Sequence, residues 1–185
     1  METFGKPREF VEDDGYICAR QRAISSLNFD EVDRPIRDIV HGFARLPHCF
    51  TLQCCYGHFI CDERQDYDSL KAIPAGYAGT VRYRIAYIAF CLENSKPGRK
   101  LRESLAAVAA IDPEFIQFGS AGWFWEQWPN SFALQVEPSV SLCEDEVLLA
   151  SGEARYIQGL RDRFFVALRI LLQKELEHYG KGGQS

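Results

Sequence analysis

The sequence has no apolar run long enough to cross a membrane. Its longest apolar stretches, such as Ile85 to Leu92, fall far below the roughly 20 residues that a spanning helix needs. Residues Met1 to Phe10 show neither a basic start followed by an apolar segment nor a small-residue cleavage site. The sequence also contains no internal repeat and no low-complexity segment. These absences exclude a repeat protein. They also lead us to expect no membrane-spanning helix and no secretory signal.

The chain also lacks a surplus of positive charge. Its 21 lysines and arginines stand against 26 acidic residues, which gives a formal net charge of −5. This balance provides no general attraction to nucleic acid or to an anionic membrane surface. A tRNA partner would therefore need a local basic patch, although scattered basic residues more often form a solvated surface. The candidates for such a patch are Arg82, Arg84, Arg99, Lys100 and Arg102.

The residues that are present predict one folded domain. A chain of 185 residues with 46% hydrophobic and 13% aromatic residues can bury a substantial core. We therefore expect a single domain over residues 1–185, with 180–185 as a disordered tail. The seven cysteines are an odd number, so an oxidising compartment would leave at least one thiol unpaired. This favours reduced, mostly buried thiols and a cytoplasmic protein.

Three segments have the periodicity and end signals of helices. Apolar residues at helical spacing predict a helix from Asp33 to Leu46, in which Asp33 caps the first turn and Pro35 lies just inside it. Ser95 is expected to cap a second helix that ends near Ile111. A third, long helix is expected from Glu153 to Tyr179, ended by Gly180.

Strand patterns lie between these helices. Cys49 to Cys61 is expected to form a strand, a tight turn at Tyr56-Gly57 and a second short strand, and Val81 to Leu92 a single long strand. Phe115 to Phe118 and Phe132 to Val136 are short strands that could pair as a hairpin around the aromatic loop 119–131. The order predicts an α+β fold, with a mixed or largely antiparallel sheet and helices packed on it.

The cysteine-rich segment suggests metal chemistry or thiol chemistry, and buried thiols are the commoner alternative. A second knuckle of metal ligands is missing, since Cys91 and Cys143 are distant single residues. Adjacent Cys54 and Cys55 would also point to opposite faces of a strand, so we assign no metal ligands. Cys55 and His58 could instead form a thiol nucleophile and its base. The cysteines and histidines of the segment are His48, Cys49, Cys54, Cys55, His58 and Cys61.

A second candidate site follows the strand at Phe115 to Phe118. Gly119 and Ser120 begin a small-residue turn of the kind that can hold a cofactor, although no G-x-G-x-x-G pattern is present and no helix is expected after it. The next residues are aromatic and could either stack on a ligand ring or fold back over the core. They are Trp123, Phe124, Trp125 and Trp128.

The segment Phe50 to Ile60 resembles the signature of the wybutosine-pathway tRNA methyltransferase family, which reads roughly F-T-T-S-S-C-S-G-R-I. Four residues fall on matching positions: Phe50, Thr51, Cys55 and Gly57. The resemblance extends loosely over most of the chain in the order of its elements. Family serines are replaced by Gln53, Cys54 and Tyr56, and the family arginine by His58, which removes a fixed cation.

The resemblance implies a transfer of a methyl group from S-adenosylmethionine to a ring nitrogen of a modified guanosine in tRNA. We expect a pocket between the turn at 51–58 and the loop at 119–125. His58 would accept the proton. Two alternatives remain: a non-catalytic ligand-binding or interaction domain, and a small metal or thiol enzyme that uses Cys55 and His58. The expected cofactor-binding residues are Thr51, Cys55, Gly57, Gly119, Ser120 and Trp123.

Overall fold

The computed structural model describes residues 4–62, 64–138 and 144–182, with side chains up to residue 180. In these ranges the chain forms the following helices: α1 Tyr16–Ser26, α2 Arg37–Ala44, α3 Lys96–Val108, α4 Gly122–Gln127 and α5 Ser151–Gly182. The strands are β1 Phe4–Gly5, β2 Cys49–Cys55, β3 His58–Ile60, β4 Thr80–Arg84, β5 Ala86–Leu92, β6 Ile116–Ala121, β7 Ser131–Val136 and β8 Glu146–Ala150. Short 3-10 helices cover Arg34–Ile36 and Ala109–Ile111.

The strands form two antiparallel sheets. One has five strands in the order β1-β6-β7-β5-β2, and the other has three in the order β3-β4-β8. The long helix α5 contacts β7 of the first sheet and β4 and β8 of the second, and it also packs on α2 and α3. A core of apolar side chains fills the space between these layers. The α+β prediction with helices packed on an antiparallel sheet is therefore confirmed. Among the described helices, none is long and apolar enough to cross a membrane.

The segment predicted as one long strand is two strands. Val81 to Leu92 is interrupted at Ile85, where β4 of the small sheet gives way to β5 of the large sheet. At this point the amide of Ile85 donates to the carbonyl of Asp145 at 3.1 Å. Apolar residues at alternate positions continue through the break. Residues on both sides of it are buried. The chain thus changes sheets without a visible change in residue pattern.

The strands of the cysteine-rich segment do not form a hairpin. β2 pairs with β5, whereas β3 pairs with β4 in the other sheet, so the turn at Tyr56-Gly57 is a second crossing between sheets. Gly57 has a φ of +89°, which an L-residue with a side chain rarely adopts. The buried Arg161 of α5 donates to the carbonyl of Gly57 at 2.9 Å and lies over the ring of Tyr56.

The predicted hairpin of Phe115 to Val136 is confirmed, since β6 and β7 are antiparallel neighbours. The connection between them differs from the prediction. Gly119 and Ser120 belong to β6, and the aromatic segment begins with helix α4 at Gly122 rather than forming a loop. The stretch expected not to begin a helix therefore does so, and Phe124 packs in a small cluster with Ala121 and Ala133 of the sheet.

The ends of the helices show which capping signals in the sequence act locally and which are overridden by contacts with distant residues. The Ser95 cap of α3 is confirmed, since its hydroxyl accepts from the amide of Gly98 at 3.3 Å. Asp33 stands at the N-cap position of the 3-10 helix Arg34–Ile36, but its side chain makes no capping hydrogen bond. The carboxylate accepts instead from the amide of Tyr56 at 2.7 Å and contacts His58. The last helix begins at Ser151 and continues past Gly180 to Gly182, so part of the predicted tail is helical. Residues 183–185 of that tail, and Cys143, lie outside the described residues.

Candidate ligand-binding cleft

A cleft of about 660 Å³ opens beside the five-stranded sheet. Its floor is formed by side chains of β2, β5 and β7, including Gln53, Tyr87 and Gln135. The start of α4 forms one wall, and Phe4 of β1 and residues 144–145 complete the rim. This volume lies within the range of small-molecule and cofactor sites. Most of its lining residues belong to strands or to α4, whereas Tyr67, Glu137 and residues 144–145 lie in connecting segments.

Aromatic rings supply the apolar part of this cleft. Trp123 is 45% exposed and makes edge-to-face contacts with Phe124 and Trp128 at ring-centroid distances of 4.9 and 6.2 Å. Tyr67 and Tyr87 line other parts of the cleft. An exposed indole held in place by neighbouring rings offers a surface for a planar or cationic ligand group, since aromatic faces attract both.

The charged lining of the cleft is mostly acidic. Its acidic residues are Glu126, Glu137, Glu144 and Asp145. The cation among the described lining residues is Arg84, which binds Asp68 at 3.2 Å and lies over the ring of Tyr67. Arg84 is thus partly neutralised within the chain. The cleft therefore favours a ligand with positive charge and disfavours one that brings several phosphates into it.

Glu137 is the buried member of this acidic set, and sequence reasoning missed it. Its side chain is 0% exposed, and Gln135 donates to one of its oxygens. The other oxygen, Oε2, has no hydrogen-bond partner among the described residues. Burial raises the pKa of Glu137 to about 7, helped by the charges of Asp145 and Glu144 and opposed by the Gln135 hydrogen bond. A carboxyl in this range can exchange a proton at neutral pH.

Glu137→Gln is expected to stabilise the protein above neutral pH. A carboxyl whose pKa rises on folding from 4.5 to about 7 costs stability as pH rises through this window, and the cost is complete above it. At pH 8 the variant should gain about 3 kcal/mol in the free energy of unfolding, and below about pH 4 the gain should vanish. Urea unfolding across this pH range measures it.

Glu126→Gln is the matched control for that measurement, because Glu126 lies in the same cleft but is exposed. Its change in unfolding free energy should stay within about 0.5 kcal/mol at every pH. A Glu137→Gln effect that does not vary between pH 4 and pH 8 would contradict the raised pKa.

Of the residues predicted to hold a cofactor, the structure places Trp123 in the cleft. Thr51, Cys55 and Gly57 are not among its described lining residues, nor are Gly119 and Ser120. The cleft draws on both segments that were expected to bound a pocket, 51–58 through Gln53 and 119–125 through residues 121–124, but apart from Trp123 the residues differ from those predicted. A bulge in the pairing of β2 with β5 lies between Thr51 and Gln53. Gln53, one of the substituted signature residues, was the available signal.

Gly119 and Ser120 hold the N-terminal segment in place. A side chain at Gly119 would overlap the carbonyl of Gly5 in the adjacent strand β1. The hydroxyl of Ser120 accepts from the amide of Arg8 at 3.1 Å and donates to the carbonyl of Ser131 at 3.2 Å. Both residues thus support the pairing of β1 with β6. They affect the cleft indirectly, because this pairing positions Phe4 at its rim.

His58 lies away from the cleft, in a buried cluster with Asp33 and Cys55. Its Nε2 is 3.2 Å from Asp33 Oδ2, and its Nδ1 is 3.3 Å from the carbonyl oxygen of Ser69. Burial acts to lower the pKa of His58, but the hydrogen bonds to Asp33 and Cys55 outweigh it and raise the pKa to about 10. An imidazole that already carries its proton cannot accept another. The position of His58 outside the described lining and its raised pKa both argue against the role as a base that was expected of it.

The basic residues proposed for a tRNA patch belong to two separate elements. Arg82 and Arg84 lie on β4, whereas Arg99, Lys100 and Arg102 lie on α3. Arg99 and Arg102 are placed over the ring of Phe10, and Arg102 is 3.8 Å from Glu9. These contacts hold the α3 arginines against the N-terminal segment. The part of the predicted basic patch that lies near the cleft is therefore the part on β4.

The comparisons with known proteins indicate a shared fold and name no activity. No protein-family model and no curated protein matches this chain. The PH1069 protein from Pyrococcus horikoshii has a TM-score of 0.51 at 15% identity, over 88% of this chain and 96% of that chain. A structure of PH1069 from Pyrococcus horikoshii OT3 gives 0.46 at 15% identity, over 88% and 94% of the two chains. A hypothetical protein from Aeropyrum pernix gives 0.44 at 11%, over 78% and 98%. The first likeness shows a shared fold.

Proposed function

We propose that the cleft binds S-adenosylmethionine and that the protein is a divergent relative of the wybutosine-pathway tRNA methyltransferases. The observation that carries this proposal is a cleft of cofactor size in which exposed aromatic rings stand beside several carboxylates. S-adenosylmethionine has a planar ring that can stack on Trp123 and a sulfonium cation that the acidic wall attracts. The β2 segment that carries the resemblance also reaches the cleft, through Gln53, a position where this chain departs from the signature.

In this proposal Glu137 replaces His58 as the proton acceptor. The ring nitrogen of the acceptor forms a bond to the methyl carbon while the carbon–sulfur bond breaks, and the sulfonium leaves as a neutral thioether. The proton released by the ring nitrogen passes to Glu137, whose pKa of about 7 suits that transfer at neutral pH. The protein's main contribution is to hold donor and acceptor in line.

The proposed acceptor is a modified guanosine of tRNA that enters the cleft as a single base. The acidic lining disfavours phosphates inside the cleft, so the nucleic-acid backbone would stay outside it. Arg82, which is exposed on β4, and Arg84 at the rim are the basic side chains positioned to meet it. The cytoplasmic location favoured by the thiols belongs to this same proposal.

Calorimetric titration with S-adenosylmethionine tests the cleft. The wild-type protein is expected to bind it with a single site per chain. Trp123→Ala should weaken binding about tenfold, which is the loss of one stacked ring. The matched control is Tyr179→Ala, since Tyr179 is an aromatic residue with 53% exposure on α5 outside the cleft. Absence of binding at millimolar ligand, or equal weakening by both variants, would refute the proposal.

Turnover separates the catalytic proposal from its alternative, a non-catalytic ligand-binding domain. That alternative is favoured by the substituted signature and by the charged, buried His58. With a modified-guanosine tRNA as acceptor, Glu137→Gln should lower kcat about 100-fold or more, while the loss of one acidic lining residue weakens S-adenosylmethionine binding by only about threefold. Binding without methyl transfer by the wild-type protein would select the alternative. Normal turnover by the variant would remove Glu137 from the mechanism.

A further inference from the structure

Three potential metal ligands from different parts of the chain meet at the crossing between the two sheets. Asp33 precedes the 3-10 helix before α2, Cys55 ends β2, and His58 begins β3. One ligand atom from each lies within 4.8 Å of the other two. Cys55 and His58 are 3% and 2% exposed, whereas the Asp33 side chain is 21% exposed. The cluster is thus buried, with solvent access on the carboxylate side.

The distances fit a small tetrahedral cation. In a tetrahedral zinc site with bonds of about 2.0–2.3 Å, the donor atoms stand about 3.3–3.6 Å apart. Asp33 Oδ2 and His58 Nε2 are already 3.2 Å apart. The sulfur of Cys55, within 4.8 Å of both, needs to approach by no more than about 1.5 Å. Carboxylate, thiolate and imidazole together are a donor set that zinc accepts.

The surroundings of each ligand match those of metal sites. The second nitrogen of His58, Nδ1, faces the carbonyl oxygen of Ser69 at 3.3 Å, an arrangement that orients a ligating imidazole and leaves Nε2 for the metal. The amide of Gly57 donates to the sulfur of Cys55 at 3.4 Å, which orients the sulfur. The amide of Tyr56 donates to Asp33 Oδ2 at 2.7 Å and fixes the carboxylate.

We propose that Asp33, Cys55 and His58 form a zinc site whose fourth position is taken by water on the exposed side of Asp33. Metal binding displaces the proton that Nε2 shares with Asp33. The site joins the entry to α2 to the segment where the chain passes from β2 to β3, so its metal would fix the crossing between the two sheets. It does not depend on the proposed function, because none of its three ligands lines the described cleft.

Cobalt substitution tests the thiolate ligand directly. The full-length protein is first freed of metal with a chelator and then titrated with Co²⁺. A thiolate-to-cobalt charge-transfer band that saturates at a single equivalent is expected. Cys55→Ser should abolish the band, whereas Cys54→Ser should retain it. Cys54 is the matched control, because it is the adjacent, partly buried thiol on the other face of β2. A wild-type protein without the band would overturn the site, whether or not any variant folds.

Competition for Zn²⁺ with a chromophoric chelator measures the affinity. Cys55→Ser and Asp33→Asn are expected to weaken zinc binding about 100-fold, and Cys54→Ser less than about threefold. Zinc should also raise the thermal unfolding temperature of the wild-type protein and not that of Cys55→Ser, because a ligand that binds the folded state stabilises it. A charge-transfer band or zinc affinity that is lost in Cys54→Ser and kept in Cys55→Ser would overturn the assignment.

Discussion

Gly57→Ala is expected to lower the free energy of unfolding by about 3 kcal/mol, the sum of backbone strain and steric overlap. Gly57 has a φ of +89°, where an L-residue costs about 1–2 kcal/mol. A methyl group there would also stand 2.8 Å from the Cβ of Ala86 and 3.2 Å from its backbone. Ala86 pairs with Val136 of β7, and its amide donates to the hydroxyl of Tyr83 at 2.9 Å, so it cannot easily move. Urea unfolding measures the loss.

Gly76→Ala is the control that separates the two causes. Gly76 has a similar φ of +81°, but no atom lies within 4 Å of the position of an added Cβ. Its cost should therefore be the strain alone, about 1 kcal/mol. Adding Ala86→Gly to Gly57→Ala should recover part of the loss, because it removes the overlapping methyl group. Equal costs at Gly57 and Gly76 would contradict the close approach to Ala86.

Tyr83→Phe is expected to cost about 3 kcal/mol, although it removes a single oxygen atom. The phenol of Tyr83 on β4 donates to the carbonyl of Val136 on β7 at 2.7 Å and accepts from the amide of Ala86 on β5 at 2.9 Å. Tyr83 is fully buried, so water cannot take over either bond. Two buried backbone groups then lose a partner, and each such loss costs about 1–3 kcal/mol.

Tyr87→Phe provides the comparison for Tyr83. Its hydroxyl bonds the side chain of Gln53 at 3.1 Å in an exposed position, where water can replace the bond. This variant should change the free energy of unfolding by less than about 0.5 kcal/mol. If the two variants lost equal stability, the oxygen of Tyr83 would not be joining the two sheets.

The parts of the fold that could be predicted from sequence are those set by neighbours along the chain. Ser95 caps α3 because its hydroxyl and the amide it binds are three residues apart. The antiparallel pairing of β6 with β7 is likewise a short-range event. Asp33, like Ser95, is a capping residue type just before a predicted helix. Its carboxylate nevertheless binds Tyr56 and His58, which are more than twenty residues away. A pattern of neighbouring residues cannot show that distant groups compete with the first helical turn for the same carboxylate.

Missed elements had weak local patterns for identifiable reasons. Helix α1 buries Tyr16 and leaves most other residues partly or fully exposed, so no apolar stripe marked it. Strand β1 is two residues long and exists through its pairing with β6. Strand β8 is an edge strand that exposes 71% of Leu148, so its apolar run did not indicate which side was buried.

The candidate cleft could be predicted only in part. Trp123 was identifiable because crowded aromatic residues are conspicuous in a sequence. Glu137 was not, since nothing near it in the chain shows that its carboxyl is buried beside Gln135 and near the charges of residues 144 and 145. The same holds for the Asp33, Cys55 and His58 cluster, whose members come together only when the chain crosses between sheets.

The pairing of β1 with β6 makes the first residues of the chain a removable side of the cleft. Phe4 lines the cleft, and the following segment is held by hydrogen bonds from the amides of Arg8 and Val11 to Ser120 and Asn130. Proteolytic trimming of this segment would leave the remaining sheet intact while opening the cleft to solvent. A bound ligand should conversely slow both cleavage and amide hydrogen exchange there, so occupancy of the cleft can be followed at the N-terminus.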